Sequence, residues 1–310
     1  MLYFGYGSNL DVVDWNAFCT RWGFVGAELV PVARALLLDS ELVFDHYAAT
    51  RRGGALNPRD APGQAAEGVV FRANEAALRA LDFKEGAPTH YQRVQRHAVL
   101  PDGNVAEVMT YAAPSEGFHA PHADYLAVVR RGQAGHGIAH GMMDAAARNE
   151  APPLTIRHLF IYGTLMAGEA NAHHLAGVAR APGVVRGRLH DCGAYPGLSL
   201  GDGEVQGEVV ELPLERLAGM DALEGCRPGG APGGMYRRSV LEVRGAGETL
   251  RAYAYVMDDA EHLPLIAGGD WRGVGNRHQA WAAYAAAQGE ALPKDQPHWN
   301  AAYPARIRAG

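Results

Sequence analysis

Two six-residue stretches, 139 positions apart, carry the same pattern: Leu81-Asp82-Phe83-Lys84-Glu85-Gly86 and Met220-Asp221-Ala222-Leu223-Glu224-Gly225. Each follows an aromatic-rich run that breaks at a glycine and a hydroxyl residue. The first run is Tyr3-Phe4-Gly5-Tyr6-Gly7-Ser8-Asn9-Leu10 and the second Leu159-Phe160-Ile161-Tyr162-Gly163-Thr164-Leu165. Each precedes a Tyr-x-Arg step, Tyr91-Gln92-Arg93 and Tyr236-Arg237-Arg238. Matched segments in one order imply two related domains rather than one large core. Gly7 to Glu85 spans 78 positions and Gly163 to Glu224 spans 61, so the copies differ in loop length ahead of the helix.

The aromatic runs read as buried strands, each entering a stretch with helical potential. A strand that ends in a small-residue turn leaves backbone N–H groups able to hold an anion. For either copy alone, an ordinary strand-to-loop junction is the alternative. Asn74 is placed to cap a helix over Glu75–Glu85 that ends at Gly86, and Pro213 suits the first turn of one running to Glu224. Leu78, Leu81 and Glu85 share one face of the first helix, as Leu217, Met220 and Glu224 do on the second. Each glutamate therefore stands at a core-facing position, in a last turn where the helix dipole also disfavours negative charge. Both effects raise a carboxyl pKa, which suits a general acid/base near neutral pH. Fraying that turns the glutamate to solvent is the competing reading.

Tyr6-Gly7-Ser8-Asn9-Leu10 resembles the signature loop of γ-glutamylcyclotransferases, and Tyr162-Gly163-Thr164-Leu165 is similar to its variant in the γ-glutamylamine cyclotransferase and AIG2-like branch. Gly268-Gly269-Asp270-Trp271-Arg272 resembles the closing segment of AIG2-like proteins. The resemblance implies an α+β chain of two tandem γ-glutamylcyclotransferase-like domains, each a small mixed β-barrel flanked by helices. It implies Glu85 and Glu224 as catalytic residues and cyclisation of a γ-glutamyl amide to 5-oxoproline, with no cofactor and no metal. The loop residues Tyr6, Gly7, Ser8, Asn9, Leu10, Tyr162, Gly163, Thr164 and Leu165 become candidates for substrate binding, with Tyr91, Tyr125 and Tyr236. Packing is the alternative role for each tyrosine. Leu165 in place of an asparagine sets the second site apart.

The expected domains are 1–150, 151–273 and a C-terminal helix and polar tail over 274–310, with the boundary near Pro152-Pro153. Between the landmarks, a helix is expected over Val12–Trp22, strands over Val30–Phe44 and Gly68–Phe71, and a Gly/Pro-rich loop over Arg51–Gly63. A hairpin turning at Gly103, a helix over Tyr125–Arg131 and strands over Val184–Leu189, Gly207–Leu212, Tyr236–Val240 and Leu250–Val256 follow. His278–Gln288 is a further helix candidate.

At 310 residues with 48% apolar content the chain can bury two cores. A net charge of −6 argues against nucleic acid as partner. No apolar run approaches the roughly 20 residues that cross a bilayer, and no leader precedes the first strand, so a cytoplasmic location is expected. Cys19, Cys192 and Cys226 are too scattered for a disulfide framework or metal knuckle. The histidine pairs His119/His122 and His136/His140 lack an acidic partner at ligand spacing and read as surface residues. Ser8 lacks a nucleophile elbow, which disfavours a serine hydrolase. Two other readings stay open: a binding module that keeps the pocket without turnover, or a biosynthetic enzyme that removes a γ-glutamyl protecting group.

Overall fold

A computed structural model describes residues 1–245 and 247–274. The chain divides into two compact units, Met1–Ile156 with Pro228–Gly230, and Arg157–Arg227 with the residues from Ala231 on.

The first unit is built on β1 (Leu2–Gly5), β2 (Leu29–Ala48), β3 (Gly53–Ala73), β4 (Gln92–Val99) and β5 (Val105–Ala112). They close into a barrel in the order β1-β3-β2-β4-β5. Only the β1–β5 junction is parallel; the other pairings are antiparallel, and two of them, β2–β3 and β4–β5, are hairpins of consecutive strands. Helices α1 (Val12–Trp22), α2 (Glu75–Glu85), α3 (Ala123–Gly135) and α4 (Gly141–Ala147) flank it. Asp11 caps α1 by accepting from the Val13 and Asp14 N–H groups, and Asn74 caps α2 through Ala77. Gly23 and Gly86 end these helices at φ of 73° and 62°, where a Cβ is disfavoured.

The second unit repeats the plan with β6 (His158–Ile161), β7 (Arg180–Asp191), β8 (Pro196–Glu211), β9 (Arg237–Arg244) and β10 (Thr249–Val256), and with α5 (Leu214–Leu223) where the first has α2. The closed order is β6-β8-β7-β9-β10, again with one parallel junction, β6 to β10. One glycine in each barrel shows the shared geometry. A Cβ on Gly68 would lie 2.4 Å from the Phe4 ring and 2.5 Å from the Gly5 carbonyl oxygen. On Gly207 it would lie 2.6 Å from the Phe160 ring and 2.2 Å from the Ile161 oxygen. Both positions hold glycine so that the first aromatic strand can cross the long one closely.

Three sequence expectations change. Arg51–Gly63 is largely strand: β3 starts at Gly53 and pairs with β2 from Ala48 back to Leu29. Its glycines mark close approach, since the Gly54 N–H donates to the Ala120 oxygen at 3.0 Å and a Cβ there would lie 2.0 Å from the His119 oxygen. After the second loop the chain forms turns and a 3-10 turn over Ala172–Leu175, with no counterpart of α1. Helix α5 ends at Leu223, leaving Glu224 as its C-terminal cap. The expected helix over His278–Gln288 and the tail beyond it lie outside the described residues. Among the described residues no helix is long and apolar enough to cross a membrane.

Each unit closes its own barrel, so each should fold alone. Cleavage within 148–155 is expected to yield two fragments that each melt cooperatively by circular dichroism. A fragment without a transition would mean that the two share a core.

Candidate active sites

In each barrel the loop after the first strand meets the C-terminal end of the helix that carries the glutamate. In the first, a 3-10 turn over Ser8–Leu10 follows β1, and the C-terminus of α2 brings Glu85 beside it. They open on a cavity of about 450 Å³ lined by Tyr6, Gly7, Ser8, Asn9, Glu85, Tyr91 and Tyr125, together with Tyr3, His46, Arg51, Lys84 and His90. In the second, Tyr162, Gly163, Thr164, Leu165, Glu224 and Tyr236 line a cavity of about 30 Å³ with Asn171, Tyr195, Pro196 and Leu223. Of the residues singled out in the sequence, Leu10 alone stays outside the cavities. It is 3% exposed and packs in the core cluster that also holds Trp15 and Phe71. The first cavity also gathers residues that carried no sequence signal, above all Arg51 and His46, because they converge only when the β2–β3 hairpin folds over the barrel mouth.

What aims each glutamate is an acid–guanidinium clamp, with Arg93 exposed in the first barrel and Arg238 buried in the second. Asp82, one turn before Glu85, accepts from Arg93 Nε at 2.8 Å and Nη2 at 2.6 Å and from the Tyr111 hydroxyl at 2.7 Å. Asp221, one turn before Glu224, accepts from Arg238 Nη1 at 2.5 Å and from the Tyr255 hydroxyl at 2.9 Å. The repeated Asp-x-x-Glu-Gly and Tyr-x-Arg patterns are therefore two halves of one contact. The tyrosines shape the walls through their hydroxyls. Tyr6 donates to the Tyr111 oxygen at 2.8 Å, and Tyr162 to the Tyr255 oxygen at 2.7 Å. Tyr91 donates to the Leu56 oxygen at 3.1 Å and Tyr236 to the Pro196 oxygen at 2.6 Å. The Tyr125 hydroxyl accepts from the Leu56 N–H at 3.3 Å while its ring lies 5.2 Å from the Arg51 guanidinium. In both copies the tyrosines line the cavity and hold the backbone that forms it.

The two carboxyl groups differ in their company. Asn9 Nδ2 donates to Glu85 Oε1 at 2.8 Å and to the Tyr3 hydroxyl at 2.9 Å. Lys84 Nζ, 7% exposed, donates to Asp14 at 2.9 Å, and Arg51 donates to Asp14 at 3.1 Å and to Ser8 Oγ at 3.3 Å. Burial raises the Glu85 pKa, and Lys84, the Asn9 hydrogen bond and Arg51 pull against it. In the second copy Leu165 stands in place of Asn9 and Leu223 in place of Lys84. Burial, reinforced by the Asp221 charge, pushes Glu224 up to about 8. The second cavity is tighter because Pro196 replaces Leu56 against the loop: a Cβ on Gly163 would lie 2.7 Å from Pro196 Cγ, whereas one on Gly7 would lie 3.5 Å from the Tyr125 hydroxyl and 4.0 Å from Leu56 Cβ.

In the Ser8–Leu10 turn the Leu10 N–H donates to the Gly7 oxygen at 3.1 Å, and backbone N–H groups at a turn of this kind can hold an anion. Asn9 Oδ1 is buried without a partner among the described residues, an acceptor available to a bound cation. Among the described residues no group of three or more His, Cys, Asp or Glu side chains is arranged to hold a metal ion.

A family model described as gamma-glutamyl cyclotransferase, AIG2-like, matches residues 3–128 and 159–273. The gamma-glutamylcyclotransferase family protein YtfP of Escherichia coli K12 is 31% identical over 116 residues, 36% of this chain and 94% of that protein. A putative gamma-glutamylcyclotransferase of Vibrio cholerae is 34% identical over 121 residues, 37% of this chain and 96% of its own. The gamma-L-glutamyl-butirosin B gamma-glutamyl cyclotransferase of Niallia circulans is 32% identical over 118 residues, 37% of this chain and 75% of its own. A solved gamma-glutamyl cyclotransferase structure is 22% identical with a TM-score of 0.42, covering 49% of this chain and 88% of that one.

Two titrations test the electrostatics. Glu224 has a folded pKa of about 8 against an ordinary value of 4.5, so the folded protein holds a proton that the unfolded chain releases between them. Stability should therefore fall as pH rises from about 4.5 to about 8. Urea melts of Glu224→Gln across that window are expected to lose this part of the slope. Asn9→Leu, which copies the second site, should raise the Glu85 pKa by removing a donor to its charged form. Carboxyl-carbon NMR of the variant would show the titration moving up in pH, and an unmoved titration would mean that Asn9 does not tune Glu85.

Proposed function

The chain belongs to the AIG2-like gamma-glutamyl cyclotransferase family, and on that premise we propose that it cleaves a γ-glutamyl amide by intramolecular cyclisation, releasing 5-oxoproline and the free amine. The observation that carries the reading is the pairing, in both barrels, of a glutamate of raised pKa with a Gly-hydroxyl loop across one cavity.

A γ-glutamyl group carries its own nucleophile, the α-amino nitrogen. The site's main task is to hold the folded conformer in which that nitrogen faces the γ-carbonyl. In this reading of the first site the turn N–H groups and Arg51 receive the α-carboxylate, and Asn9 Oδ1 receives the α-ammonium. The ionised glutamate takes one proton from the ammonium, and the freed amine attacks the γ-carbonyl carbon. The attacking nitrogen then sheds its second extra proton to water. As the intermediate collapses, the C–N bond to the leaving group breaks and the glutamic acid returns its proton to that nitrogen. A carboxyl group with a pKa near neutrality can serve as both base and acid. At Glu85 the Lys84 charge, the Asn9 hydrogen bond and Arg51 oppose the effect of burial, whereas at Glu224 the Asp221 charge adds to it.

A second reading is favoured for the second domain by its cavity of only about 30 Å³: a pocket retained without turnover. Mass spectrometry of 5-oxoproline on a panel of γ-glutamyl peptides and amines separates the possibilities. Glu85→Gln and Glu224→Gln should each lower one set of activities by about 10²–10⁴-fold and spare the other. If Glu224→Gln changes nothing on any substrate, the second domain is a binding module. Free glutamate in place of 5-oxoproline would mean hydrolysis and would end the cyclisation mechanism.

A further inference from the structure

Beside the Glu224 cavity, within the same unit, lies a second cavity of about 250 Å³ that the chemistry above does not use. Tyr195 and Met235 line both, so they form the partition between them. The remaining walls are mostly apolar and sulfur-bearing: Cys192, Met257 and Leu263. These walls are tied to the site's own scaffold. Met235 N–H donates to the Gly225 oxygen at 3.2 Å, directly after Glu224, and Met257 N–H donates to the Leu198 oxygen at 2.8 Å. Cys192 N–H donates to the Tyr195 oxygen at 3.1 Å, which closes the β7–β8 turn over both cavities.

The charges at its rim are one-sided. The lining holds Asp258, Asp259 and His262 and no lysine or arginine. Asp258 accepts from Arg237 Nε at 2.5 Å, and Asp259 lies 3.5 Å from His262. A leaving group ending in a carboxylate would meet the Asp258 and Asp259 carboxylates within the lining, where Arg237 is already paired with Asp258 and Arg227 lies outside, beside Gly233. An apolar chain would instead remove thioether and aliphatic surface from water.

Resting on the cyclotransferase reading, we propose that this cavity seats the released amine of the second site and selects γ-glutamyl amides whose amine carries a flexible apolar chain without a carboxylate. The small cavity at Glu224 then needs to hold only the reacting end of the substrate, with the amine passing between Tyr195 and Met235. The first site differs in kind: its cavity of about 450 Å³ is lined by Arg51, Lys84, His46 and His90.

The test uses the full chain carrying Glu85→Gln, so that turnover reports the second site, with γ-glutamyl n-alkylamides from methyl to hexyl and γ-glutamyl-6-aminohexanoate. kcat/KM is expected to rise about threefold per methylene until the cavity fills. The aminohexanoate should fall at least tenfold below the hexylamide. Met257→Trp, or Leu263→Phe if the first variant does not fold, should remove the dependence on chain length. A flat series in the parent, a carboxylate that is tolerated, or a length dependence that survives the filled cavity would overturn the assignment. If no amide is turned over, the cyclotransferase reading of this domain fails, and calorimetry on Glu224→Gln judges the cavity by itself. Hexylamide binding more tightly than methylamide, with the difference lost in Met257→Trp, would uphold it; equal binding or none would overturn it.

Discussion

The contact on which both sites depend is the acid–guanidinium clamp, Asp82 with Arg93 and Tyr111, half-exposed in the first barrel and repeated as Asp221 with Tyr255 and the buried Arg238 in the second. It ties the C-terminal turn of a helix to two neighbouring barrel strands. A helix end without such a tie frays, and a glutamate there would turn to water. With the tie, the next turn is held against the barrel mouth and the carboxylate cannot escape burial. In the second barrel Arg238 is only 2% exposed at its side chain, so deletion of Asp221 would leave a charge away from solvent, a loss of roughly 3–5 kcal/mol. The glutamate's raised pKa is thus a consequence of packing fixed one turn earlier in the chain.

On this shared frame a few substitutions make two different sites. Asn9 and Lys84 give Glu85 a donor and a nearby cation, and both counter its desolvation. Leu165 and Leu223 give Glu224 neither, and the Asp221 charge adds to the burial. Leu56 leaves space against the first loop, while Pro196 presses on Gly163 and narrows the second cavity. The extra length of the first copy goes into α1 and the longer β2–β3 hairpin, whose tip brings His46 and Arg51 over the cavity. In the second copy the shorter hairpin leaves room for the thioether-lined cavity beside Tyr195.

The sequence by itself determined the repeat, the helices that carry the glutamates and the loops they face. Those are local facts: a capping Asn74, a terminating Gly86 or Gly225, and apolar residues recurring on one face fix a helix and its end. The long strand β3 escaped because its glycines and prolines read as a loop; only the chain crossing over Gly53 and Gly54 shows why a side chain is forbidden there. Tertiary structure alone decided the size of each cavity, the convergence of Arg51 and His46 on the first, and the gap between the two carboxyl environments. Those depend on which residues from distant strands touch, and desolvation is a property of a surrounding shell that no spacing along the chain can report.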